Sequence, residues 1–151
     1  MDGREIATIM TRLFRNSRVN FLGVFASDQI PSLPAIHSLS PCCYIVNTDP
    51  TGKLGTHWLA FFHPCAKNLE FFDSFGFSPS EFGFHFPTSI HVYSNSIQVQ
   101  SKYSSTCGYH CIYFLFSRTH GIPLSKIISK LKSFTLVDSD RFVQSFIRKI
   151  I

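Results

Sequence analysis

No stretch of this 151-residue chain reaches the ~18 uncharged apolar residues that a membrane-spanning helix needs. Its opening, MDGREIATIM, lacks the basic n-region and long apolar run of a secretory signal. The expectation is therefore a protein that is not secreted and has no membrane partner. Internal repeats, low-complexity tracts and linkers are missing too, which leaves one domain over residues 1–151. Paired C-x2-C knuckles are absent, so a zinc site built on Cys107, Cys111, His110 or His63 has little support, and no metal is expected. The five cysteines are an odd number without a secretory context, which argues against a disulfide framework and for reduced thiols.

Aromatics, by contrast, are abundant. Hydrophobic residues make up 44% of the chain, with 17 phenylalanines, so the core should be rich in that residue. A chain of this size buries roughly 70% of its unfolded surface, enough for a core of its own. Net charge is +5 and the pI is near 9.1. Basic residues gather at the ends: Arg4, Arg12, Arg15 and Arg18, then Lys126, Lys130, Lys132, Arg141, Arg148 and Lys149. That distribution suits an anionic partner such as DNA; a solvated basic face accounts for it equally well.

In REIATIMTRLFR, Ile6, Ile9, Met10 and Leu13 recur at helical spacing, predicting an amphipathic helix. Pro31, Pro34 and Pro41 predict a long irregular segment after it. Three short apolar runs, 42–48, 57–63 and 69–75, read as strands, with a turn over DPTGKLG between the first two. Residues 76–88 read as loop, and 89–95 and 96–101 as weaker strands. Helices are expected over 107–119 after Ser104, Ser105 or Thr106, over 123–132 behind Pro123, and in DSDRFVQSFIRKII after an Asp or Ser cap. The fold class is α+β, with a small mixed or antiparallel sheet flanked by helices.

If 57–63 and 69–73 pair about Cys65, Leu59 faces Phe71 and His57 faces Asp73, which sets an imidazole beside a carboxylate. Cys107 falls in the first turn of a helix, where the helix dipole favours thiolate. Gly108 behind it leaves room for a substrate to approach the backbone, and the N–H groups of Cys107 and Gly108 lack helical partners there. Cys111, one turn deeper, reads as packing. A thiolate site and a His–Asp pair are the parts of a nucleophilic triad.

GTHWLAFF, FFDSFGFS and QSKYSSTCGYHC, in that order, resemble the adenovirus maturation protease family and its relatives in Maverick/Polinton elements. The wider clan includes the ubiquitin-like-protein proteases. The likeness runs from FLGVF through CYIVNT to about Leu115. It implies Cys107 as nucleophile, His57 as general base, Asp73 as orienting acid and Gln100 as oxyanion donor, with Gln98 a nearby rival. It implies that Trp58 helps shape a narrow slot for glycine, where the residues alone suit a core aromatic equally. Aspartate stands at 73 where the adenoviral enzymes usually carry glutamate, and the C-terminal third of the chain does not obviously match them.

The activity implied is a cysteine endopeptidase cutting at small or glycine-containing sites. Its substrates would be viral capsid and core precursors, cut during virion maturation by a monomer in the nucleus or cytoplasm of the host cell and in the virion. The chemistry needs no cofactor. DNA is a candidate activator through the basic termini. A viral peptide activator is also implied, but no cysteine between 66 and 106 could hold one by the disulfide the adenoviral enzymes use. The alternatives are a protease removing ubiquitin or SUMO-like proteins, and an acetyltransferase with the same His, Asp, Cys order.

Overall fold

The computed structural model describes residues 1–53 and 56–151; the expected turn over 49–55 lies partly outside them. Helix α1 spans Gly3–Phe14, opened by a capping box in which Asp2 accepts from the Glu5 N–H and Glu5 reaches back to the Asp2 N–H. Ile6, Met10 and Phe14 point inward, and the arginines of this helix stay outside. Five strands follow in chain order across one sheet: β1 Asn20–Phe25, β2 Cys42–Asn47, β3 Trp58–Cys65, β4 Asn68–Phe72 and β5 His91–Ser94. The outer pairs β1–β2 and β4–β5 are parallel; the inner pairs β2–β3 and β3–β4 are antiparallel. Helix α2 spans Leu33–Leu39, α3 Cys107–Thr119, α4 Leu124–Lys132 and α5 Leu136–Ile150. The architecture is α+β, an open mixed sheet with helices on its faces. Among the described residues no helix is long and apolar enough to cross a membrane.

Strict alternation along β2 and β3 divides the core in two. Cys43, Ile45, Ala60, Phe62 and Phe72 face α1, α3, α4 and α5. Tyr44, Val46, Leu59, Phe61 and Phe71 face α2 and the phenylalanine-rich loop, where Phe84 is buried and Phe82 and Phe86 pack against it. Both faces of the sheet are covered, so the central strands read as unbroken apolar runs rather than alternating ones.

Several sequence expectations need correction. The proline-rich segment is not wholly irregular, because it holds β1 and α2. Pro34 sits in the first turn of α2 behind the N-cap Ser32, where a missing N–H costs nothing. Residues 96–101 form no strand, and 76–88 contain a short 3₁₀ turn, Pro79–Phe82. Helix α5 starts earlier than expected, capped by Thr135, whose hydroxyl accepts from the Asp138 N–H.

The β3–β4 register also differs. Phe61 faces Phe71 and Ala60 faces Phe72, so His57 does not lie directly across from Asp73. The turn falls at Ala66–Lys67 rather than at Cys65, and a bulge between Phe62 and Cys65 takes up one residue. The net slip is two residues. Because strand side chains alternate with a period of two, every residue keeps its expected face.

Candidate active site

His57 stands immediately before β3, and Asp73 immediately after β4. The altered register makes their contact diagonal, and it is close: His57 Nε2 lies 2.6 Å from Asp73 Oδ1. A carboxylate only accepts, so Nε2 carries the hydrogen and Nδ1 is the ring nitrogen left for the Cys107 thiol. The imidazole is packed between the Phe75 and Phe82 rings, with centroids 4.9 and 6.2 Å away.

Asp73 is fully buried, and its surroundings explain why the acid is held so well. Oδ1 also accepts from the Phe75 N–H at 3.2 Å, and Oδ2 from the Phe77 N–H at 3.0 Å. The backbone of Asp73 is gripped from the other side by Asn95. The Asn95 side-chain Oδ1 accepts from the Asp73 N–H at 3.0 Å, and its Nδ2 donates to the Asp73 main-chain carbonyl. Gly76 closes the turn by donating to the Asp73 carbonyl at 2.9 Å, with φ of +82°. A Cβ there would come within 2.8 Å of the Ile97 backbone, so only glycine fits. Asn95 escaped the sequence reading. A short polar residue in an apparent strand carries no mark of a contact 22 positions away.

Cys107 opens α3 and is nearly buried. Burial opposes thiolate formation, but the His57 imidazole and the N–H groups of Trp58 and Gly108 outweigh it, and the thiol lies below its ordinary value. Burial likewise opposes charge on His57. Asp73 and then Cys107 overcome it and raise the imidazole to about 9. The two shifts have one cause: each group favours the charged form of the other. The other buried cysteines are different: Cys111 donates to the Trp58 carbonyl at 3.3 Å, and burial pushes its thiol well above the ordinary value.

Gln100 is buried in an irregular segment, not on a strand. Its Oε1 accepts from the Ser74 hydroxyl, and its Nε2 donates to Ser104 O at 3.0 Å and Ser104 Oγ at 3.2 Å. The rival Gln98 turns back to donate to the Gln100 carbonyl at 2.9 Å. Trp58 packs in the core on the helix side of the sheet, and its indole N–H donates to the Met1 carbonyl at 3.3 Å. It also borders a cleft of about 600 Å³ lined with Met1, Gly3, Val24, Asn47 and Asp49, a cleft that neither Cys107 nor His57 lines.

Gly108 does not offer the open approach expected of it. A Cβ there would sit 3.2 Å from Ile6 and 3.3 Å from the Met1 sulfur, so the missing side chain lets α1 close on α3. What Gly108 presents to the site is its N–H, turned to the Cys107 sulfur.

Fold and site together define an α+β protein with an assembled Cys–His–Asp triad, in which the helix supplying the thiol packs on the sheet supplying the other two. A family model described as adenovirus endoprotease matches residues 21–87, a span that includes His57 and Asp73. The chain is 32% identical over 125 residues to the protease of Porcine adenovirus A serotype 3, covering 70% of this chain and 60% of that protein. It is 32% identical over 111 residues to the protease of Bovine adenovirus 2, covering 63% and 53%. To the protease of Human adenovirus A serotype 12 it is 30% identical over 118 residues, covering 66% and 56%. The chain is thus similar in sequence to the adenovirus endoproteases over its central part. It spans little more than half the length of the relatives it matches.

Proposed function

We propose that this chain is a cysteine endopeptidase that cuts viral precursor polypeptides at small or glycine-containing sites. The observation that carries the reading is the His57 imidazole, fixed through Nε2 by buried Asp73 and meeting the Cys107 thiol with its remaining nitrogen. In this mechanism the Cys107 thiolate attacks the scissile carbonyl carbon, and the C=O electron pair moves onto oxygen. That oxygen is held by backbone N–H groups at the start of α3 and by Gln100. Both acceptors of the Gln100 amide nitrogen belong to Ser104, so one N–H can serve them as a three-centre bond and leave the other for the oxyanion. The intermediate collapses as the imidazolium protonates the leaving amine. Water, deprotonated by His57, then releases the acyl group from sulfur.

Recognition of glycine rests on the family likeness, since the cleft beside Trp58 is lined by neither Cys107 nor His57. Capsid and core precursors in the infected cell and the virion are the proposed substrates, and DNA on the basic helices, or a viral peptide held without a disulfide, the proposed activators. The test is intact mass after mixing the chain with a Gly-Gly peptide bearing a thiol-reactive warhead, with and without DNA. One adduct, lost in Cys107→Ala and in His57→Ala, is the expected result. Labelling spread over all five cysteines would sink the reading.

A further inference from the structure

Five side chains form a single hydrogen-bonded chain from the turn after Asp73 to α5. Ser74 donates to Gln100 Oε1, and Gln100 Nε2 donates to Ser104. Ser104 Oγ lies 3.0 Å from Thr106 Oγ1, and Thr106 donates to Asp140 Oδ1 at 2.7 Å. Asp140 receives two more donors: His110 Nε2 at 3.0 Å on Oδ1 and the Ser101 N–H at 3.2 Å on Oδ2. Asp140 is the α5 residue that reaches the segment between Gln100 and Cys107. Thr106 is the N-cap of α3, yet its hydroxyl makes no bond to the helix it caps and goes to Asp140 instead.

Groups that can only accept fix the direction of these bonds: the Asp140 carboxylate for Thr106, the Ser101 carbonyl for the Ser104 hydroxyl and the Ser104 carbonyl for the Gln100 amide. Burial opposes ionisation of Asp140, but the bonds from His110 and Thr106 outweigh it and hold the carboxyl below its ordinary value. An ionised carboxylate cannot donate, so the Thr106 hydrogen must point to it. The Ser104 hydroxyl donates to the Ser101 carbonyl at 3.0 Å, with the Thr106 oxygen at the same distance as a second acceptor. The Ser104 carbonyl, which can only accept, and the Ser104 hydroxyl oxygen both face the Gln100 amide nitrogen, and the amide oxygen is left to Ser74.

We propose that Asp140 is a positioning residue, whose carboxylate takes the Thr106 hydroxyl and the Ser101 N–H and so pins to α5 the segment whose Ser104 oxygens hold the nitrogen end of the Gln100 carboxamide. The catalytic consequence rests on the oxyanion role proposed for Gln100; the pinning of the segment does not. Nothing in the sequence of α5 marks Asp140 apart from its neighbour Asp138, which is exposed.

The test uses the full chain and Asp140→Asn, which keeps the shape, removes the charge and adds an N–H donor. The first readout is the Gln100 side-chain NH2 signal in 15N-glutamine-labelled protein, assigned by its loss in Gln100→Ala. In the wild type it should be shifted by hydrogen bonding and exchange slowly; in Asp140→Asn it should move toward the free-amide position and exchange about tenfold faster. The second readout is steady-state cleavage of a Gly-Gly peptide. We expect kcat to fall about tenfold with KM within about twofold, part of the 10²–10³ that losing an oxyanion donor costs. Gln100→Ala with Asp140→Asn should be no slower than Gln100→Ala alone, because the two act through one group. An unmoved Gln100 signal in folded Asp140→Asn, or losses that multiply, overturns the proposal. If Asp140→Asn does not fold, Thr106→Val cuts the same chain at its middle, leaves Asp140 with His110, and carries the same expectations. A wild type that cleaves nothing would defeat the protease reading, and the amide signal would still decide the role of Asp140.

Discussion

Two buried histidines in this molecule each place Nε2 on an aspartate Oδ1, and they end in opposite states. His57, on Asp73 at 2.6 Å, is raised to about 9. His110, on Asp140 at 3.0 Å, is pushed below its ordinary value by burial, which its carboxylate does not offset. The difference lies at the other ring nitrogen and in access to water. His57 keeps 12% of its side chain exposed and meets the Cys107 thiol, so its second N–H has an anion to point at. His110 is fully buried, and its Nδ1 has no partner among the described residues. A carboxylate alone leaves the buried His110 harder to charge than a free imidazole, whereas a carboxylate and a thiol together make His57 easier to charge.

Removing the thiol should make the first pair resemble the second. In Cys107→Ala, cleavage and warhead labelling should fall by a factor on the order of 10⁴ or more, as for loss of a nucleophile. An NMR titration should show His57 falling from about 9 toward the ordinary imidazole value; an unchanged titration would mean that Asp73 alone sets its charge. Asp73→Asn attacks the same pair from the other side. Its kcat/KM should drop by up to about 10⁴, the cost of turning a triad aspartate into its amide. Alkylation of Cys107 by a small reagent should also need a higher pH than in the wild type.

Smaller effects test the frame around the pair. Gly76→Ala strains a residue at φ +82° against the Ile97 backbone and should cost about 1–3 kcal/mol, read by denaturant unfolding. The smallest concerns His110. The unfolded chain takes up a proton near the ordinary pKa of 6.5 that the folded chain refuses, so stability is lost as pH falls through that value. In His110→Gln, which keeps an N–H donor for Asp140, the fall in Tm below that pH should be shallower by about 2–4 °C. A parallel fall in both proteins would show that His110 is not the group responsible.

The sequence exposed the parts of the site more fully than the means of holding them. Helix α1, the strands around His57 and the helix behind Cys107 all carry local signals: an apolar stripe, aromatic runs, a cap before a buried segment. The face of each hairpin residue was legible too, because a slip of two leaves faces unchanged. The turn was not, since Ala66–Lys67 contains neither glycine nor proline to mark it. Pro34 suggested irregular chain where it starts a helix, because proline reads as a breaker unless the cap before it is recognised. Asn95 and Asp140 had no local signal at all. Each acts across a long sequence separation, 22 positions to Asp73 and 34 to Thr106, and such pairings exist only once the fold has formed.

The position of Asp140 also bears on the order in which the chain is made. Synthesis runs from the N-terminus, so His57, Asp73, Gln100 and Cys107 all exist as polypeptide before α5 does. Until α5 docks, the Thr106 hydroxyl and the Ser101 N–H have no carboxylate to meet. An emerging chain therefore holds its thiol and imidazole before it holds the far anchor of the segment that joins Gln100 to Cys107.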